Sequence, residues 1–248
     1  MIKALNISKS FDGNEVLKSV STVFEEGKTN LVIGKSGSGK TVFLKCLVGL
    51  FEIDDGEIFY DDIVFNKLNF TERKVIRMQL GMLFQGGALF DSMTVEENII
   101  FPLDMFSAMT REEKIERVNF CLKRVDLENT NKLYPAELSG GMKKRVAIAR
   151  AISNNPRFLF CDEPNSGLDP RTAILIDQLI SDITKEFNTI TVINTHDMNS
   201  VMEIGEKVAF IHEGQLWWEG SNEDFLNNDN KELNEFVFAS QLMRKLKN

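Results

Sequence analysis

The sequence lacks several features that characterise other classes of protein. Its 248 residues include three cysteines and five prolines, and no apolar run approaches the ~20 residues of a membrane-spanning helix. Cys46, Cys121 and Cys161 are odd in number and form no C-x-x-C pair, which favours buried thiols over disulfides or a metal site. There is no internal repeat, no proline-rich linker and no apolar core typical of a signal peptide. We therefore expect a cytosolic globular protein that reaches a membrane only through a partner.

Positive charge is also scarce, since 29 Lys and Arg residues stand against 37 Asp and Glu residues and give a net charge of −8. This balance argues against a general nucleic-acid binder, and we expect no nucleic-acid partner. Two short basic groups remain, at 143–145 and 244–247. We interpret them as a solvated helix face and as favourable charge at a helix C-terminus.

Short apolar segments predict buried strands. RFLFC, residues 157–161, is a continuous apolar strand of the kind that a parallel sheet buries on both faces. Residues 29–34 are predicted to form an apolar strand and residues 189–194 a further buried strand. Residues 1–26 resemble short strands joined by a turn at Asp12 and Gly13. The sequence thus predicts an α/β fold with a doubly wound core and additional β-strands near its start.

Helical patterns occupy the intervening regions. Residues from about 90 to 155 have helical character, and Asp169 and Pro170 give the next helix, 170–187, a cap and an N1 proline. We predict one domain over 1–220, into which the helical subdomain of about 90–155 is inserted. A C-terminal helical extension would cover 221–248.

The segment GKSGSGKT, residues 34–41, matches the pattern G-x-x-x-x-G-K-[ST] between a predicted strand and a predicted helix. Its glycines let backbone N–H groups approach phosphate oxygens, Lys40 brings positive charge to the β- and γ-phosphates, and the Thr41 hydroxyl can ligate Mg²⁺. A plain glycine and serine turn would explain neither the lysine nor the setting. The predicted nucleotide-binding residues of this loop are Gly34, Lys35, Ser36, Gly37, Ser38, Gly39, Lys40 and Thr41.

Two acidic residues end the apolar strand in RFLFCDEP, residues 157–164. Asp162 is placed to hold Mg²⁺ through water, and Glu163 can polarise an attacking water. An acidic pair alone usually marks the end of a strand. Together with the glycine-rich loop it predicts phosphoryl transfer to water.

The segment ELSGGMKKRVAIARAI, residues 137–152, places a serine and two glycines before a run of helix formers. Such a helix start is open to an anion, although a simple capped helix would give the same pattern. The chain therefore carries two predicted anion sites that are far apart in sequence.

The glycine-rich loop, LSGGM, DEP, SGLDP and NTHD occur in one familiar order. In this combination residues 1 to about 220 resemble the nucleotide-binding subunit of an ABC transporter. The resemblance implies a P-loop ABC ATPase fold with a RecA-like core, an antiparallel β subdomain and an inserted α-helical subdomain. It implies ATP and Mg²⁺ as cofactors and a peripheral place on the cytoplasmic face of the inner membrane. It further implies a head-to-tail homodimer, in which Ser139, Gly140 and Gly141 bind the γ-phosphate held by the partner copy's loop.

The resemblance also implies roles for single residues. His196 matches a switch histidine that contacts the γ-phosphate, and Gln85 matches a glutamine that links Mg²⁺ and the attacking water to the membrane partner. Phe11 matches an aromatic residue that stacks on adenine, although a core strand position stays open for it. Asp169 in SGLDP matches a loop that crosses between subunits. The implied catalytic residues are Glu163, His196 and Gln85, and the implied metal ligands are Thr41, Gln85 and Asp162.

The stretch FQGGALFDSMTVEENIIFPL, residues 84–103, predicts an apolar partner surface from Gln85 to Phe90. It most resembles the Mla-type ATPases of Mce-associated lipid transport, as does Met142 after LSGG. This predicts a phospholipid-trafficking ATPase with a permease bound at 85–90 and an Mce-type lipid-binding protein in the complex. An ATPase of an importer for amino acids or another small solute is the alternative, and a non-transport ABC ATPase is disfavoured.

Two further features stand outside the motifs. Asn165 follows DEP where the family usually has Thr or Ser. The tail has enough apolar residues either to pack on its own domain or to reach the second subunit. Those residues are Leu233, Phe236, Val237, Phe238, Leu242 and Met243.

Overall fold

The computed structural model describes residues 1–225 and 228–238. The strands in these ranges are β1 (Ile2–Phe11), β2 (Asn14–Phe24), β3 (Thr29–Ile33), β4 (Asp55–Tyr60), β5 (Ile63–Val64), β6 (Leu80–Leu83), β7 (Phe158–Asp162), β8 (Ile190–Thr195), β9 (Lys207–His212) and β10 (Gln215–Gly220). The helices are α1 (Lys40–Leu47), α2 (Phe70–Arg77), α3 (Val95–Phe106), α4 (Arg111–Arg124), α5 (Gly140–Ile152), α6 (Pro170–Phe187), α7 (Met198–Ile204), α8 (Asn222–Phe225) and α9 (Lys231–Val237).

A six-stranded sheet forms the centre, in the order β10-β9-β3-β8-β7-β6. Its inner strands pair in parallel, and only the edge strand β10 runs antiparallel. Successive residues of β3 face opposite sides, so Leu31 and Ile33 enter one hydrophobic core and Val32 enters the other. Every residue of β3, β7 and β8 is buried, and burial on both faces explains why most of these residues are apolar.

An antiparallel sheet of four strands, in the order β2-β1-β4-β5, covers one side. Residues 11 and 14 pair directly across its first hairpin, so the predicted turn at Asp12 and Gly13 is confirmed. The inward side chains Ile2 and Leu17 share a core with Phe43 of α1. The predicted fold class, a RecA-like core with an antiparallel β subdomain and a helical insertion, is confirmed.

Helices α3, α4 and α5 fill the interval between β6 and β7. The first two begin with capping boxes, formed by Thr94 with Glu97 and by Thr110 with Glu113, so each start is satisfied locally. The Ser139 side chain caps α5 by accepting from the Met142 N–H at 3.3 Å. The sequence therefore specifies where each of these helices begins.

The described part of the C-terminal extension packs on its own domain. Phe225, Leu233 and Val237 are buried in the same core as the central sheet, and the Phe236 ring stacks on Phe210 with ring centres 5.4 Å apart. Leu242, Met243 and the basic group 244–247 lie outside the described residues. Within the described ranges, no helix is both long enough and apolar enough to cross a membrane.

Candidate functional site

Four neighbouring parallel strands deliver the predicted site residues to one edge of the sheet. The glycine-rich loop follows β3, His196 follows β8, Asp162 ends β7 and Gln85 follows β6. The carboxyl ends of parallel strands are the usual place for ligands in open α/β sheets. Residues that are far apart in sequence thus meet in one cleft of about 550 Å³. Its lining is Val16, Ser36, Gly37, Gly39, Lys40, Thr41, Val42, Gln85, Glu163 and His196.

The loop 34–39 requires glycine where it passes closest to other backbone. Gly34 has φ +152°, and a Cβ at this position would lie 2.2 Å from the Ile211 carbonyl oxygen. Gly39 is the N-cap of α1 with φ 104° and no side-chain cap, so the first N–H groups of α1 stay available for an anion. Ser38 is buried, and its Oγ has no hydrogen-bond partner among the described residues. An uncapped helix start beside an unpartnered hydroxyl fits a phosphate chain.

Lys40 is the cation of this loop. Its Nζ donates to the carbonyl oxygens of Gly34 at 2.8 Å and Lys35 at 3.0 Å, which draws the side chain back along the loop. Burial lowers the pKa of Lys40, and the negative charges of Glu163 and Asp162 partly oppose that effect. Because burial removes water from the Lys40 ammonium, a bound phosphate would stabilise its positive charge.

Thr41 and Asp162 face each other across the cleft floor. Thr41 Oγ1 donates to Asp162 Oδ1 at 3.0 Å, and Asn194 Nδ2 donates to the same oxygen at 3.2 Å. A hydroxyl beside a buried carboxylate is an oxygen donor set that suits Mg²⁺, whose remaining ligands are usually phosphate and water. The residues present therefore fit the predicted metal.

Glu163 brings the other two predicted catalytic residues together. Its Oε2 accepts from Gln85 Nε2 at 2.8 Å, and its Oε1 lies 3.0 Å from His196 Nδ1. The backbone of Glu163 has φ 47°, a left-handed conformation that is uncommon outside glycine and is often found at functional sites. Its N–H donates to the Asn194 carbonyl at 3.0 Å. Both carboxylate oxygens are thus held at the cleft by groups from neighbouring strands.

Asn165, where the sequence departs from the family pattern, joins a buried polar network behind Glu163. Its Nδ2 donates to Asp177 Oδ2 at 3.2 Å and to Ser200 Oγ at 2.9 Å. Ser200 Oγ in turn donates to the same Asp177 oxygen at 2.6 Å. Burial raises the pKa of Asp177 to about 6, against the hydrogen bond from Ser200, which lowers it. The network ties the segment after Glu163 to α6 and α7.

The LSGG segment does not line this cleft. Gly140 and Gly141 lie instead near the start of α6, where a Cβ on Gly140 would stand 3.6 Å from Leu168 Cδ2 and a Cβ on Gly141 2.8 Å from Thr172 Cγ2. Asp169 caps α6, with Oδ1 accepting from the Thr172 N–H at 3.1 Å. Two helix starts, those of α5 and α6, therefore sit side by side, and the α5 start carries no acidic residue in its first turn.

Phe11 is the remaining predicted nucleotide residue. It lies at the end of β1, is 38% exposed and packs edge to face on Phe51 with ring centres 5.3 Å apart. Val16, not Phe11, belongs to the cleft lining. The Lys9 Nζ also lies over this ring, 5.3 Å from its centre. Adenine stacking by Phe11 remains a prediction.

Comparison with known families identifies the chain. The family model described as "ABC transporter" matches residues 17–166, which is more than half of the sequence. The chain belongs to the ABC transporter ATPase family. Among its relatives is the "Methionine import ATP-binding protein MetN" of Clostridium tetani, 37% identical over 98% of this chain and 76% of the relative. A second, "Methionine import ATP-binding protein MetN 2" of Oceanobacillus iheyensis, is 38% identical over 98% of this chain and 72% of the relative.

Solved ABC cassettes share the fold. A dimeric post-hydrolysis structure of the ATP-binding cassette MJ0796, bound to ADP and Pi, has a TM-score of 0.82 and 33% identity. The match covers 90% of this chain and 99% of that one. Both relatives from Clostridium tetani and Oceanobacillus iheyensis carry methionine-import names, so the expectation of lipid transport receives no support from them.

Two basic residues of α5 in this ABC ATPase were missed from the sequence. Lys144 was expected on a solvated helix face, but it is 6% exposed, because the apolar face of α5 turns it toward the sheet. Its spacing of four residues from the buried Ile148 was the available signal. Arg150 donates to the carbonyl oxygens of Gly87 and Ala88, both at 2.7 Å. Helix α5 thus holds the loop that follows Gln85.

Proposed function

We propose that this ABC ATPase hydrolyses ATP between two copies arranged head to tail and so powers a membrane permease. One observation carries the proposal. The LSGG helix start has no acidic residue in its first turn, which suits an anion, but it lies outside the cleft of its own chain. In the proposed arrangement a second copy brings this helix start to the nucleotide. Two solved cassettes similar to this chain are described as dimeric, which supports a dimer of this chain. ATP then forms part of the interface, and its hydrolysis removes that contact.

The residues of the cleft have distinct roles in this proposal. Lys40 and the N–H groups of α1 bind the β- and γ-phosphates, and Thr41 and Asp162 hold Mg²⁺. The metal supplies charge neutralisation at the phosphate oxygens when bound. Glu163 orients a water and accepts its proton as the new O–P bond forms and the bond from the γ-phosphorus to the leaving ADP oxygen breaks. His196 and Gln85 keep the carboxylate aimed at that water.

The permease would bind beside Gln85. An apolar groove of about 390 Å³ lies there, with Phe84, Phe90, Phe101 and Phe106 in its lining. Phe90 is 40% exposed and rests on the Phe101 ring with ring centres 4.8 Å apart. An apolar groove next to a catalytic side chain suits an amphipathic segment from the cytoplasmic side of a permease. The ATPase would therefore be peripheral to the membrane, on its cytoplasmic face.

Import of a small solute such as methionine is the transport role that the names of the relatives favour. Phospholipid trafficking stays a second candidate, because the 84–103 stretch and Met142 resemble Mla-type ATPases. The apolar groove, to which Ala88 and Phe90 of the 85–90 segment contribute, is the surface through which either permease would be recognised.

Mixing two inactive variants tests whether each ATP site is built from residues of two copies. Lys40→Ala removes the phosphate cation from one copy, and Ser139→Arg blocks the helix start of another. Each variant alone should lose ATP turnover, whereas a mixture forms dimers that keep one complete site and should regain it. The Glu112→Gln variant, exposed on α4, serves as the control and should keep full turnover. A mixture that stays inactive, while both variants still fold and the Ser139→Arg chain binds ATP, would contradict the head-to-tail site.

A test of the transport role uses the ATPase together with its permease. The two are purified as one complex, with the permease taken from the genes next to that of the ATPase, and the complex is placed in phospholipid vesicles. Stimulation of ATP turnover by methionine with its binding protein would support import. Stimulation with transfer of labelled phospholipid would support the lipid alternative. Phe90→Asp should abolish either stimulation while leaving the basal turnover of the free ATPase intact.

A further inference from the structure

Lys144 is a buried lysine that no sequence motif explains. It occupies the second turn of α5, is 6% exposed and lies on the same helix face as Ile148 and Ile152. Lysine is almost never buried without a partner, because removing an ammonium from water is costly. The side chain therefore has partners that compensate for its burial.

Those partners are the backbones of the two catalytic motifs. Lys144 Nζ donates to the Gln85 carbonyl oxygen and approaches the Glu163 carbonyl oxygen at 3.4 Å. The Gln85 and Glu163 side chains are themselves joined at 2.8 Å. One ammonium thus closes a ring with the two residues, through their carbonyls on one side and their side chains on the other. The nearby carboxylates of Glu163 and Asp162 offset the positive charge.

We propose that Lys144 is a positioning residue for ATP hydrolysis, which holds the Gln85 loop and the Glu163 turn in register from helix α5. The proposal rests on the function proposed for Gln85 and Glu163. Glu163 has a left-handed backbone, so its orientation depends on what surrounds it rather than on local preference. Gln85 lies in a loop after the short strand β6 and has the same dependence. Lys144 supplies a common anchor for both.

The position of Lys144 on α5 extends this role to the partner copy. Helix α5 begins at Gly140, directly after Ser139, so Lys144 lies little more than one helical turn from the proposed γ-phosphate contact. Movement of this helix start on closing the dimer would move the Lys144 ammonium with it. Closing of the dimer would then shift Gln85 and Glu163 through their contacts with Lys144.

The first test compares variants of the full-length ATPase. Lys144→Met removes the charge and keeps the length, and it should lower kcat about 10- to 100-fold, because small misplacements of catalytic groups cost that much. KM and the affinity for ATP should change less than about threefold, since Lys144 does not line the nucleotide cleft. Lys144→Arg keeps a donor and should recover most of the lost kcat. The adjacent, partly exposed Lys143→Met is the matched control and should behave like wild type.

The second test needs no turnover. Hydrogen exchange of the amides at 84–88 should become at least about tenfold faster in Lys144→Met but not in Lys144→Arg or Lys143→Met, because only the first loses the anchor. If the methionine variant does not fold, Lys144→Gln replaces it under the same criteria. Unchanged exchange at 84–88, or equal losses of kcat and ATP affinity, would overturn the inference. ATP turnover of Glu163→Gln is measured in parallel. Full turnover in that variant would show that Glu163 is not the general base, and the role of Lys144 would then be judged from the hydrogen-exchange result alone.

Discussion

The buried carboxyl of Asp177 should make the stability of this protein depend on pH in a predictable direction. Asp177 is 2% exposed on α6 and accepts hydrogen bonds from Ser200 and Asn165, while its Oδ1 has no partner among the described residues. Burial is the largest cause of its raised pKa, and the charges of Asp197 and Glu203 raise it further. We expect Asp177→Asn, which cannot ionise, to remove this dependence.

The magnitude follows from the two pKa values. The pKa of Asp177 rises from 3.8 to about 6 on folding. Each pKa unit corresponds to ~1.4 kcal/mol, so ionised Asp177 costs the folded state about 3 kcal/mol. The folded state binds this proton more tightly than the unfolded state. The free energy of unfolding of wild type should therefore fall as pH rises from about 4 to 6, and this contribution should then stay constant above that range.

Urea unfolding of both proteins at pH values from about 4 to 8 measures the effect. The stability of Asp177→Asn relative to wild type should rise by about 2–2.5 kcal/mol between about pH 4 and pH 7, because the unfolded carboxyl is already partly ionised at pH 4. The difference in unfolding free energy between Asp177→Asn and wild type at any single pH also includes the effect of altered hydrogen bonds. Only the change of this difference with pH therefore tests the reasoning. Asp182→Asn, exposed on the same helix, should show no such change. A difference between Asp177→Asn and wild type that is constant across the pH range would refute the reasoning.

Three further predictions concern the cleft and the core. Gly34→Ala should destabilise the protein by about 1–3 kcal/mol in urea and abolish ATP binding, because its Cβ would meet the Ile211 carbonyl at 2.2 Å. Ser139→Ala should cost about 1 kcal/mol through the lost cap, whereas Ser139→Asp should keep the stability but prevent the proposed ATP-bound dimer, which gel filtration would measure. Burial raises the pKa of Cys46 to about 12, so Ellman's reagent at about pH 8 should modify it only after unfolding.

Local signals in the sequence predicted much of the fold. Strands with both faces buried are short, mainly apolar segments, and helix starts carry their caps, as at Thr110 and Asp169. Helix α2 was missed although Asn69 and Glu72 form a capping box of the same kind. Its apolar content is low, with Phe70 79% exposed, so hydrophobic periodicity alone did not reveal it.

The supporting residues behind the site were harder to predict. Asp177 has partners at Asn165 and Ser200, which α6 and α7 bring together only after folding. The left-handed backbone of Glu163 likewise has no local signature. Lys144 did have one, its spacing from Ile148, but its place in a basic run concealed it. Motifs reveal groups that bind ligand, whereas groups that position them depend on tertiary contacts.

Polar side chains of α3 and α5 bind the main chain of the loop beside the apolar groove. Arg150 binds the carbonyls of Gly87 and Ala88, and Asn98 bonds both the N–H and the carbonyl of Phe90. Main-chain groups are the same whatever the residue, so substitutions outside the left-handed positions Gly87 and Ala88 would leave the path of this loop unaltered. Evolution could therefore exchange the outward side chains to match a different permease while the hydrolytic machinery stayed as it is.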